Sequence, residues 1–148
     1  MLYLEDVSVG DTFTTVARTI TETDIVSFAC LSGDFNPLHM DHEWARRGPF
    51  GRPIAHGLLS LAISSGLPSR LDQLVLVAFL EETRKFKGPV FPGDTIRCVY
   101  TVSDVIPSSS KPDRGVVKLD VRLDNQRGES VQVGEDVLLV QRRPEAAS

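Results

Sequence analysis

Gly57-Leu58-Leu59-Ser60-Leu61-Ala62-Ile63-Ser64-Ser65-Gly66-Leu67 is apolar or small on nearly every side, and this decides the fold. A surface helix carries a polar face opposite its apolar stripe, so a helix without one belongs in the interior. Residues 58–67 are therefore expected as a central buried helix that the rest of the chain must wrap. The wrapping material lies further on. Ile96, Cys98, Tyr100 and Val102 alternate with Arg97, Val99, Thr101 and Ser103, and Val117, Leu119, Val121 and Leu123 alternate with Lys118, Asp120, Arg122 and Asp124. That is the period of half-buried strands. Gly88-Pro89, Pro92-Gly93-Asp94, the run 107–113 and Asn125-Gln126-Arg127-Gly128 separate them with turn chemistry. A series of antiparallel hairpins follows, with residues 107–114 as its most mobile loop. The expected class is α+β, a mostly antiparallel sheet around one long helix.

Towards the N-terminus, residues 13–20 alternate loosely and read as a first strand. Thr21-Glu22-Thr23-Asp24 then has the form of a helix start, with Thr21 capping and Asp24 three positions on. Ile25, Val26, Phe28, Ala29 and Leu31 supply an apolar face at helical spacing, and Gly33 is the expected stop. Residues 42–47 read as a further short helix closed by Gly48-Pro49.

At 148 residues, with 41% hydrophobic and 24% charged, the chain reads as one ordinary globular domain over 1–148, with 143–148 as a frayed tail. A net charge of −4 gives no nucleic-acid footprint, although local Arg and Lys can still bind phosphates. Cys30 and Cys98 form no metal-ligand or redox spacing and are expected in the core. No basic and apolar leader opens the chain, and the apolar stretches 58–67 and 74–80 fall short of the ~20 residues that a membrane helix needs. A cytoplasmic protein is the default expectation.

Chemistry concentrates in Asp34-Phe35-Asn36-Pro37-Leu38-His39. Residues five apart on a helix point about 140° away from each other, so a continuous helix would separate Asp34 from His39. Pro37 lacks an N–H and drives Asn36 out of the helical region. The resulting turn can bring carboxylate and imidazole to one reacting atom. Gly57, at the start of the buried helix, has a free N–H, a favourable helix dipole and no Cβ, so it could stabilise a developing oxyanion or simply permit tight helix entry. Asn36 could orient Asp34 or a substrate, or close the turn with its own side chain.

These runs resemble a known family. Phe28-Ala29-Cys30-Leu31-Ser32-Gly33-Asp34-Phe35-Asn36-Pro37-Leu38-His39, Phe50-Gly51-Arg52-Pro53-Ile54-Ala55-His56-Gly57 and Lys85-Phe86-Lys87-Gly88-Pro89-Val90-Phe91-Pro92-Gly93-Asp94 are similar to the MaoC-like dehydratases, the (R)-specific enoyl-CoA hydratases of the hotdog fold. The resemblance implies reversible syn addition of water to a trans-2-enoyl-CoA, in a homodimer that admits acyl-CoA near the subunit interface. It implies Asp34 and His39 as the catalytic pair, Gly57 as the oxyanion donor, and Ser65 at a pocket hydroxyl position. No cofactor is expected beyond the coenzyme A that is part of the substrate.

Other readings stay open beside it. His56 is taken as structural, and Ser65 could serve only helix packing. A metal at the histidines between 39 and 56 lacks a recognisable ligand spacing, so none is expected. His42 is expected to face solvent and Trp44 to anchor the core. Arg46, Arg47, Arg52, Arg84, Lys85 and Lys87 are candidates for the CoA phosphates or for a charged surface. The alternatives in function are a hotdog thioesterase, disfavoured because residues 58–67 contain no carboxylate, and a non-catalytic acyl-CoA-binding protein.

Overall fold

The computed structural model describes residues 1–144. Six strands form its sheet: β1 (Thr12–Thr14), β2 (Arg18–Thr19), β3 (Leu76–Phe86), β4 (Thr95–Pro107), β5 (Arg114–Asp124) and β6 (Ser130–Gln141). They run β1-β4-β5-β6-β3, with β2 also on β4, and every pairing is antiparallel. The helices are α1 (Glu22–Ser32), α2 (Pro37–Met40), α3 (His42–Arg46) and α4 (Gly57–Ser65).

The alternation in the sequence becomes the core. Ile96, Cys98, Tyr100 and Val102 of β4 and Val117, Leu119, Val121 and Leu123 of β5 are all buried, and they share one cluster with Ile20, Ile25 and Leu59. Cys98 sits in it, and burial pushes its thiol up from the ordinary value. α1 begins as its sequence requires: the Thr21 hydroxyl accepts from the Asp24 N–H while the Asp24 carboxylate accepts from the Thr21 N–H. It ends at Gly33 in the left-handed region at φ 77°, which a glycine enters without strain.

Several expectations need correction. Residues 13–20 are two short strands broken at 15–17, where the Thr15 hydroxyl accepts from the Cys98 N–H and stops the regular ladder. Pro37 does more than break a helix; it opens α2 as its first residue, where a missing N–H costs nothing. α4 is only half covered. Leu59, Ser60 and Ser64 are buried, but Leu58 is 60% exposed, as are Leu76, Val77, Phe79 and Leu80 of the edge strand β3 to about the same degree. Trp44 is 49% exposed rather than a core anchor, because α3 is a five-residue helix on the surface, and Cys30 is exposed on the outer side of α1. The expected tail beyond residue 144 lies outside the described residues. Arg143 is not loose: its N–H and guanidinium reach Glu5 and Asp6.

The turn at Pro92-Gly93-Asp94 is fixed by a buried carboxylate. Asp94 accepts from the Phe91 N–H, Gln126 and Arg127. Burial opposes its charge, but those donors together hold its carboxyl below the usual range. Among the described residues no helix is long and apolar enough to cross a membrane.

Candidate active site

The break between α1 and α2 carries the carboxylate. Asp34 N–H donates to the Ser32 hydroxyl, and the Asp34 carboxylate accepts from the Asn36 N–H, so the side chain is held by its own turn. Asn36 in turn accepts from the Leu38 N–H and caps α2. Of the two roles open to Asn36, its oxygen serves the turn.

One step along α2, His39 turns inward. Its Nδ1 lies 2.7 Å from the Ile54 carbonyl oxygen, which can only accept, so Nδ1 carries the proton and donates. In the neutral ring, Nε2 then offers a lone pair. Nε2 stands 3.9 Å from Asp34 Oδ2, with the histidine side chain largely buried and the carboxylate half exposed. That separation is too long for a direct hydrogen bond.

His56 joins them. It is 3% exposed, its Nε2–H donates to the Asp34 backbone carbonyl at 3.0 Å, and its ring stacks on His39 with centroids 3.8 Å apart. Phe28 closes the other side at 4.9 Å. His56, taken as structural from its sequence as a lone histidine beside a helix start, comes to this group because the 50–56 loop folds back onto α2, which nothing in the spacing from 34 to 56 shows. Asp34, His39 and His56 each bring a ligand-type atom within 4.8 Å of the others. His56 presents a proton there, not a lone pair, because its Nε2–H is committed to the Asp34 carbonyl.

The half-covered helix α4 opens beside this group. His56 is the N-cap of α4 and Gly57 its first residue, and among the described residues the Gly57 N–H makes no hydrogen bond. A cavity of about 550 Å³ is lined by His39, Gly57, Leu38, Phe86, Val90 and Gln132, among others. A Cβ on Gly57 would lie 2.6 Å from the Phe86 ring, so glycine keeps this end of the cavity open. Ser65 lies elsewhere. It sits two turns further along α4, donates to the Ala62 carbonyl, and lines a separate hollow with Tyr100 and Asp136.

The basic residues divide as well. Lys87 lines the cavity, and Arg52 lies 4.1 Å over the Phe91 ring. Arg84 is withdrawn from the phosphate candidates because it is buried against Asp136 at 2.6 Å and Glu82 at 3.2 Å. Burial pushes the Asp136 carboxyl up, and Arg84 opposes that shift. Arg46 is paired with Glu43, and His42, exposed as expected, meets Glu22.

The chain is similar to known proteins. The family model described as a MaoC-like domain matches residues 6–124. The chain is 40% identical over 106 residues to an (R)-specific enoyl-CoA hydratase of Rhodospirillum rubrum, a match covering 71% of this chain and 72% of that one. It is 39% identical over 108 residues to a 3-hydroxybutyryl-CoA dehydratase of Methylorubrum extorquens, covering 72% of this chain and 68% of that one. A solved MaoC-like dehydratase from Rhodospirillum rubrum superposes with a TM-score of 0.84 at 35% identity, over 98% of this chain and 100% of the other. That likeness supports the α+β hotdog fold expected from the sequence.

Proposed function

The chain belongs to the family of MaoC-like domains, and from that membership we propose that it adds water reversibly to a trans-2-enoyl-CoA, giving an (R)-3-hydroxyacyl-CoA. The observation that carries this reading is that His39 and Gly57, whose N–H is unpartnered among the described residues, line one cavity, with Asp34 Oδ2 3.9 Å from His39 Nε2.

Two acceptors 3.9 Å apart can both reach one water about 2.8 Å from each, at the apex of a triangle. The pair takes a proton from that water as its oxygen bonds to the β-carbon. The π electrons move toward the thioester, whose oxygen gains negative charge. The Gly57 N–H, at the positive end of α4, receives that charge. The enolate then collapses, and the α-carbon takes a proton from the same pair. Because water and proton come from one side, addition is syn. The steps draw on side chains and one amide alone, with coenzyme A entering only as part of the substrate.

The test uses purified protein and crotonyl-CoA. Loss of the enoyl-thioester ultraviolet band is expected, with (R)-3-hydroxybutyryl-CoA as product on chiral analysis. Thiol release from saturated acyl-CoA without band loss would indicate a thioesterase instead, a reading that α4 disfavours because Gly57–Ser65 contains no carboxylate. Tight binding of enoyl-CoA without turnover would reduce the protein to an acyl-CoA binder.

The exposed apolar side chains of β3, together with the exposed Leu58 of α4, are the surface through which we read two copies as pairing. Sedimentation at micromolar concentration is expected to give a dimer, and a monomer there would remove this reading.

A further inference from the structure

Gln132 of β6 is 2% exposed and crosses from the sheet to α4, where its Nε2 donates to the Gly57 carbonyl at 2.9 Å. Its Oε1 is buried and has no partner among the described residues. A buried amide oxygen without a partner costs folding free energy, and an apolar residue of the same size would avoid that cost. What the glutamine supplies in return is the tie to Gly57.

That tie joins the first residue of α4 to the sheet. Glycine has the widest backbone freedom of any residue, the His56 side chain makes no capping bond to α4, and the Gly57 N–H has no bond of its own. The His56 carbonyl, on the peptide that carries the Gly57 N–H, accepts from the Leu59 and Ser60 N–H groups, so that peptide is set within α4, and among the described residues Gln132 makes the hydrogen bond that ties this end of α4 to β6. With it, the Gly57 carbonyl is fixed to β6 on one side, and on the other the His56 ring is fixed to the Asp34 carbonyl. We propose that Gln132 is a positioning residue that keeps the Gly57 N–H aimed at the thioester oxygen. The proposal deepens the hydratase reading and rests on it.

Gln132→Met keeps the volume and removes the donor. Gln132→Glu keeps the shape and offers an O–H donor only when protonated. For Gln132→Met, kcat on crotonyl-CoA is expected to fall about tenfold, a fraction of the ~10²–10³-fold that losing an oxyanion donor outright costs, with KM within about threefold. For Gln132→Glu, kcat relative to the parent chain is expected to recover as pH is lowered, while for Gln132→Met that ratio stays flat. A bound enoyl-CoA with a conjugated aromatic chromophore reports carbonyl polarisation directly. Its red shift is expected in the parent chain and diminished in Gln132→Met. Unchanged kcat and red shift in Gln132→Met overturn the proposal, as does a lower Tm with turnover per folded molecule intact. Absence of the red shift in the parent chain overturns the Gly57 donor reading itself, and Gln132's positioning role with it.

Discussion

His39→Asn is expected to lower kcat on crotonyl-CoA by about 10²–10⁴-fold, the range of general acid–base catalysis, with little change in Tm. Asparagine is chosen because its Nδ2 can occupy the place of Nδ1 and still donate to the Ile54 carbonyl, the 2.7 Å bond that seats His39. What disappears is Nε2, the acceptor facing Asp34. Asp34→Asn is expected to cause a loss of the same order. Its side-chain oxygen still accepts from the Asn36 N–H, so the turn before α2 persists while the negative charge is gone. Because the two groups handle one water, they form a unit. The double variant is therefore expected to be little worse than the worse single one, the non-additivity of residues that act together. Circular dichroism and thermal melts show whether the variants fold, and the ultraviolet assay gives the rates. Near-parental kcat in either folded variant removes that residue from the mechanism.

How much of this was legible depended on whether a feature is local in the chain. The start and stop of α1 were readable because Thr21, Asp24 and Gly33 act on backbone within a few residues. The burial of β4 and β5 was readable because period two alone assigns each side chain to a face. α4 was half readable. Its composition marks a buried helix, but one chain covers only part of it, and Leu58 stays exposed because composition says nothing about what does the covering. The site split the same way. The Asp34–His39 pair is five residues of local turn, whereas His56 reaches it only because the 50–56 loop folds back, and Gln132 only because β6 lies beneath α4. Gln132 was not singled out, since nothing in Val131-Gln132-Val133 shows that its amide faces a helix terminus. Ser65 lies apart from that group. Its place in a motif pointed toward the pocket, yet eight residues along a helix carry it away from Gly57 and the cavity lined by His39.

The Gly57 amide can be deleted without deleting the helix. Proline is favoured as the first residue of a helix, where its missing N–H has no intrahelical acceptor to lose. The preceding residue must then be extended, and His56 already is, at φ −58° and ψ 135°. Gly57→Pro should therefore fold. It also adds a Cβ that meets the Phe86 ring at 2.6 Å, so Gly57→Ala is the necessary reference: it adds the same atom but keeps the N–H. Phe86 is 54% exposed and its ring can swing outward, which makes the steric cost of Gly57→Ala modest for folding. Both variants add the Cβ, and proline adds Cγ and Cδ as well, with Cδ in the place of the amide hydrogen, so their kcat difference reads the hydrogen-bond donor where their KM values match. Gly57→Pro is expected to turn over about 10²–10³-fold more slowly than Gly57→Ala, with a similar KM, because the bond to the thioester oxygen strengthens as charge develops there. Equal kcat values in the two variants, with matching melting temperatures, would show that the charge on the thioester oxygen is received by some group other than this amide.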